Sequence, residues 1–224
     1  MLTRNVLGFI LCIHNMSIFK FYTDKNLSVS LENHDDLRML TYLMMCPNDL
    51  QKMVLGFAEK KIVKVKKANL QGGLKNPTVM WMNENAVVEA NDYEIQSWPL
   101  YMCVVEQKDE LLVTRNELLA PFFRDMKRVA KGNESYLIHT NHEFSARMYA
   151  YWLLKKRPET MEFVIDELVR LFGVSKDNYK SYTLFEKKIM FRVKDRLEGE
   201  GVRMDYRREP ESYAKKMVVT MKLI

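Results

Sequence analysis

Leu184–Glu198, LFEKKIMFRVKDRLE, runs into the stop Gly199–Gly201 and then into two alternating stretches, Val202–Arg208 (VRMDYRR) and Lys215–Ile224 (KKMVVTMKLI). At 100° per residue, Phe185, Ile189, Met190, Val193 and Leu197 fall in one arc, which predicts a helix with that arc in the core. The opposite arc carries Lys187, Lys188, Arg192 and Lys194, with Phe191 in its middle and Asp195 and Glu198 diluting the charge. Thr183, with Glu186 three positions on, has the spacing of a capping box at the start of this helix. The two alternating stretches predict a β-hairpin around Glu209-Pro210-Glu211-Ser212, bearing Arg203, Arg207 and Arg208. A helix with a cationic outer face fits the major groove of duplex DNA, and a basic hairpin beside it can follow the neighbouring backbone. The helical spacing by itself also fits a surface helix with solvated lysines, and Phe191 is expected to pack against the hairpin.

Upstream, His142–Lys156 carries Phe144, Met148, Tyr151, Trp152 and Leu154 on an apolar stripe. Lys155-Lys156-Arg157 suit the negative end of that helix, and Pro158 stops it. Phe163–Phe172 reads as a short amphipathic helix, with Gly173 placed to take a left-handed C-terminal conformation. Helix, helix, helix and hairpin is the pattern of a winged helix. A looser version precedes it. Asp35–Cys46 and Leu50–Lys61 are helical in spacing, separated by Pro47-Asn48-Asp49, and Ile62–Lys66 (IVKVK) alternates as a strand. Val79–Met82 and Ala86–Val88 can then return as strands, which makes two helices, a turn and a β-hairpin. Leu100–Glu106 and Leu111–Thr114 read as further strands, and Glu117–Val129 as a helix with Pro121 marking its start or a kink. The expected fold class is α+β, with two tandem winged-helix domains: 1–130 (dimerisation, auxiliary DNA contacts) and 131–224 (main DNA recognition).

The chain has 224 residues, 47% hydrophobic and 29% charged, with only 8 Gly and 6 Pro. That composition excludes disordered and collagen-like classes. The net charge of +6 is uneven: residues 1–130 hold 16 Lys and Arg against 15 Asp and Glu, and residues 131–224 hold 19 against 14. A basic excess confined to one half suits a polyanionic partner. Cys12, Cys46 and Cys103 form no CxxC pair, so neither a disulfide framework nor a thiolate metal site is expected, and a cytoplasmic location is. Val6–Ile13 (VLGFILCI) is about half the length of a spanning helix and no small-x-small cleavage site follows it; it is expected to be a buried first element. His139 and His142 lack further ligands, Gly72-Gly73 is followed by no GK[ST], and Asp35-Asp36 and Asp109-Glu110 lie in caps and turns. No catalytic site, metal or cofactor is expected.

Ser145-Ala146-Arg147-Met148-Tyr149, Tyr151-Trp152-Leu153-Leu154, Ile165-Asp166-Glu167-Leu168 and Leu171-Phe172-Gly173-Val174 occur in that order. They continue through Tyr179, Tyr182, Phe185, Lys188 and Tyr206, and are preceded by Trp98-Pro99-Leu100, Leu112-Val113, Glu117-Leu118-Leu119 and Phe122-Phe123. This series resembles the iteron-binding replication initiators of plasmids, the tandem winged-helix Rep proteins, well over 98–224 and loosely over 35–97. The first 34 residues do not match well. The resemblance implies a non-enzymatic protein that binds directly repeated origin sequences as a monomer. It implies opening of an adjacent A·T-rich segment, loading of host initiator and helicase, and repression of its own gene as a homodimer held through the first domain. It implies base contacts by Lys187, Lys188, Arg192 and Lys194, and wing contacts by Arg203, Arg207 and Arg208. Lys180 in the connector would add to these, with weaker equivalents at Lys52, Lys60 and Lys61, and Lys64, Lys66 and Lys67 in a first wing. The residue pattern alone also suits a winged-helix transcriptional regulator without a replication role, or a module whose basic face binds an acidic protein.

Overall fold

The computed structural model of the chain describes residues 34–67, 78–82, 95–174, 182–209 and 216–224. The expectations for Val6–Ile13, Ala86–Val88, Lys180 and the turn beyond Glu209 fall outside these residues. The fold is α+β, built from small antiparallel sheets and helices in two compact units, 47–132 and 34–46 with 133–224. The first helix, α1 (His34–Met45), therefore belongs with the second unit, not with the 1–130 domain expected from the sequence. The reason lies in its partner α4 (Glu143–Leu154), which buries Ala146, Met148, Tyr149, Ala150, Trp152 and Leu153. A helix apolar around most of its circumference needs more than one neighbour. Leu37, Leu40, Leu43 and Met44 of α1 are buried in this unit, and the Thr140 amide donates to the Met44 carbonyl at 3.0 Å.

In the first unit, α2 (Asn48–Phe57) buries Leu50, Met53, Val54 and Phe57, the stripe expected from its spacing. It packs on α3 (Ala120–Ala130), the Phe57 and Phe123 rings meeting at 5.1 Å. The expected helix over Glu117–Val129 begins instead as a 3₁₀ turn, Glu117–Leu119. Asn116 caps that turn by accepting from the Leu118 amide, and Pro121 lies in the first turn of α3, where its missing N–H costs no bond. The strands β1 (Ile62–Lys66), β4 (Tyr101–Gln107) and β5 (Glu110–Arg115) form a sheet in the order β1-β5-β4. Val65, Leu111 and Val113 fill its buried side. Val79–Met82 is a strand as expected; its expected companion Ala86–Val88 lies outside the described residues. Here β2 (Thr78–Met82) pairs with β3 (Ile95–Pro99), Val79 opposite Trp98.

The second unit continues from α4 into β6 (Thr160–Val164), α5 (Ile165–Phe172), a long helix from Tyr182 to Gly199, and the hairpin β7 (Val202–Arg208) and β8 (Lys216–Leu223). Its sheet runs β6-β8-β7, so the first strand lies against the last. The strand β6 differs from the helix that the spacing predicts from Phe163 onward. TMEFV alternates, burying Met161 and Phe163, and pairs along β8 with Met161 opposite Val219. The helix begins only at Ile165, where the Glu167 carboxylate accepts from the Val164 amide at 2.9 Å.

Gly173 ends α5 at φ +62°, as its position suggests. A second constraint acts on it: a β-carbon there would stand 2.4 Å from Nη1 of Arg147. That guanidinium is fully buried and held by Glu143 and by the Leu171 carbonyl, so it has nowhere to swing. Gly173→Ala should therefore destabilise the protein by at least ~2 kcal/mol, from left-handed backbone strain plus overpacking. Urea denaturation measures this; an unchanged midpoint would refute the account of that corner.

Candidate nucleic-acid interface

The helix expected from 184 to 198 extends from Tyr182 to Gly199 in three pieces: α6 (Tyr182–Phe185), a π-helical turn (Glu186–Met190) and α7 (Phe191–Gly199). All five residues assigned to its core arc are buried. The wider π turn places one additional residue in that stretch, and both Ile189 and Met190 are buried. Lys187 and Lys188 sit on that turn and are exposed, as are Arg192 and Arg196 on α7. Phe191 is 62% exposed, so any packing on the hairpin leaves most of its ring open to solvent. It stands among the cations, because the core positions on either side are taken by Met190 and Val193. Arg196 is a member of this face that the sequence reading leaves out; its spacing four residues after Arg192 is the signal for it.

The remaining predicted cations divide into two kinds. Lys194 and Arg208 tie the hairpin to the helix. Lys194 Nζ lies 2.5 Å from Asp205 of β7, and Arg208 bonds Glu186 and, at 3.3 Å, the Thr183 hydroxyl. These contacts hold the Lys194 ammonium pKa up and the Asp205 carboxyl pKa down. Glu186 thus receives a guanidinium from the hairpin, in place of the backbone capping role its spacing predicts. Arg203 and Arg207, by contrast, alternate with buried Val202 and Met204 and point away from the core.

In the first unit the candidates are less concentrated. Lys52 on α2 and Lys60 beyond it are exposed. Lys61 lies 3.9 Å from Glu117, Lys64 lies 3.1 Å from Glu110, and Lys67 pairs with Glu106. Lys66 is exposed. The cations along β1 are thus largely matched by acids from β4, β5 and the segment after it.

His142 caps α4, its Nδ1 accepting from the Ser145 amide at 3.3 Å. The Ser145 hydroxyl reaches the Val193 carbonyl at 3.5 Å, which ties the start of α4 to the cationic helix. Among the described residues no three His, Cys, Asp or Glu side chains are grouped to hold a metal, and no helix is long and apolar enough to cross a membrane. Burial pushes the Cys46 thiol up to about 12, whereas Cys103 is exposed. No protein-family model matches the chain, and no curated protein matches it.

Burial, and then the charges of Arg196 and Arg192, hold the His142 imidazole below its usual pKa. The unfolded chain therefore binds this proton more readily than the folded one. Stability from this group is complete above about pH 6.5 and declines as pH falls below it toward the lowered folded value. His142→Asn keeps a capping side chain but cannot titrate. Thermal melting of the wild type should show a step in Tm below about pH 6.5 that the variant lacks, separate from carboxylate titration near pH 4. Identical profiles for both proteins would remove His142 as its source.

Proposed function

We propose that this chain is a sequence-specific double-stranded DNA-binding protein, and that it acts as a replication initiator on the direct repeats of a plasmid origin. The observation that carries the DNA reading is the exposed cationic face of the 182–199 helix. Lys187, Lys188, Arg192 and Arg196 surround Phe191 there, and the arginine-bearing hairpin is tied to the same helix. Lys and Arg on such a face can reach guanine edges and phosphates, while Phe191 offers an apolar surface for a thymine methyl group.

The order of elements in the second unit supports reading it as a winged helix: α4, β6, α5, the long helix, then a hairpin whose second strand pairs with β6. In that reading the long helix enters the major groove and Arg203 and Arg207 follow the adjacent backbone. The first unit supplies auxiliary contacts through Lys52 and Lys60, and a homodimer contact. β4 suits the dimer role, as an edge strand among the described residues, with Met102, Val104 and Val105 exposed. The resemblance to iteron-binding initiators is what separates replication from plain regulation, and it brings the host initiator and helicase as partners in the cytoplasm.

Replacing Lys188 and Arg192 with Ala should weaken binding to the cognate repeat by roughly 1–3 kcal/mol for each of the two that bonds a base edge in bidentate fashion. Binding to random duplex should change less. Footprinting the DNA upstream of the gene at two salt concentrations tests the role: several protected direct repeats beside an A·T-rich stretch are expected. One protected palindrome would reduce the protein to a regulator, and no protection at low salt would refute DNA recognition. Val105→Glu should shift sedimentation toward monomer; an unaltered dimer would displace β4 from that interface.

A further inference from the structure

The second unit carries another basic surface, at the end of its sheet where β6 begins and β8 finishes. Two adjoining concavities, of about 230 and 450 Å³, share Glu159, Met221 and Lys222 and so form one groove. Arg203, assigned above to the backbone beside the long helix, lines one end and so links the two surfaces, and Lys156 and Arg157 line the other. We propose that this groove is a second phosphate-binding site, fitted to the backbone of a nucleic-acid strand. It rests on the DNA reading above.

Three observations point the same way. Arg203 and Lys222 stand directly opposite each other on β7 and β8, both exposed. Like charges in that relation repel; Asp205 two positions along β7 relieves part of this, and an anion bound between them relieves the rest. The second observation is the end of α4. The Lys156 amide donates to the Leu153 carbonyl and the Arg157 amide to the Trp152 carbonyl, both at 2.9 Å, which is a Schellman termination. α5 ends in the same way, with Val174 bonded to Val169 and Gly173 to Arg170. There the left-handed position is Gly173 at φ +62°; in α4 it is Lys156 at φ +64°, followed by Arg157 at +60°. Two cations are kept where glycine would be less strained. The negative helix end accounts for cations near α4, but not for Arg203 and Lys222 across the groove.

Third, the Arg157 guanidinium lies 3.7 Å from the centroid of the Tyr136 ring, which holds it in place before any ligand arrives. The Tyr136 carbonyl in turn accepts from the Tyr149 hydroxyl at 2.8 Å. Two acids share the groove, Glu159 and Asp205, and Asp205 is already engaged by Lys194. Leu223 is the exposed apolar residue of the lining, but Lys156, Arg157, Arg203 and Lys222 outweigh it and the two acids, which suits a phosphodiester better than a folded protein partner.

The test uses the full chain and a labelled random-sequence duplex, with affinity measured by anisotropy across a salt series. In Lys156→Gln/Lys222→Gln, the slope of log affinity against log salt should fall in magnitude by roughly 1.8, about 0.9 for each phosphate no longer neutralised. Preference for a cognate repeat over random duplex should stay as in the wild type. Lys188→Ala/Arg192→Ala should lose that preference yet still show a slope drop when the two groove changes are added. An unchanged slope in a groove variant with wild-type Tm overturns the proposal. If the wild type binds no duplex, the DNA reading fails, and tripolyphosphate decides the groove. A rise in wild-type Tm that the groove variant lacks keeps a phosphate site there, and no rise removes it. Stabilisation by polyglutamate but not by duplex or tripolyphosphate would overturn it in favour of an acidic protein.

Discussion

The arrangement of the second unit depends on one buried cation. Arg147 is fully buried in α4, where its guanidinium pairs with Glu143 one turn earlier and donates to the Leu171 carbonyl at the end of α5, 3.4 Å away. Burial lowers its pKa to about 10, with Glu143 acting in the opposite direction, so it stays charged at neutral pH. A charge taken out of water costs several kcal/mol and is tolerated only with close partners. The ion pair neutralises the guanidinium within α4, and the bond to the Leu171 carbonyl ties α4 to α5. The close approach also explains the glycine at 173, because any β-carbon there would strike the guanidinium.

That fixed pair supports the surface that meets the ligand. Phe172 of α5 packs at 6.1 Å on Phe185, at the start of the cationic helix, and Ser145 of α4 reaches Val193 in its middle. The helix is therefore positioned along its length by apolar contacts and one hydroxyl, and its cations are left to the solvent side. Lys194–Asp205 and Arg208–Glu186 then join the hairpin to that helix. Each pair is exposed and contributes little stability by itself. Their effect is geometric: Arg208 holds the end of β7 to Glu186 at the start of the cationic helix, and Asp205 holds its middle to Lys194.

The cationic helix and its hairpin are legible in the chain because their signals are local. Five apolar residues at helical spacing, a glycine stop and two alternating runs each report on neighbours within a few positions, and all five core residues are buried. The same holds for α2, for the hairpin β4–β5 and for Gly173. The expectations that fail are those whose answer lies far along the chain. Nothing near Thr160–Val164 indicates that it will pair with β8 far along the chain, as Thr160 does opposite Thr220 and Val164 opposite Lys216. The partner of Val79–Met82 among the described residues, the strand ending at Pro99, has no signal beside Val79–Met82 either.

Within the candidate site, composition says which residues are cationic but not which cations face an acid. Lys187 and Lys194 are alike in sequence, and only the register of β7 brings Asp205 to one of them. Phe191 is similar: periodicity places it opposite the core, and the packing of Met190 and Val193 decides that it stays exposed. The sequence by itself determined the long helix, α4 and the hairpin of the second half, the concentration of positive charge there and the amphipathic division of the long helix, since propensity and periodicity act over one or two turns. Tertiary structure alone decided that α1 joins the second unit, that β6 closes its sheet, and which cations remain turned to solvent. Those outcomes depend on which distant surfaces exclude water together, and no local window of sequence contains both partners.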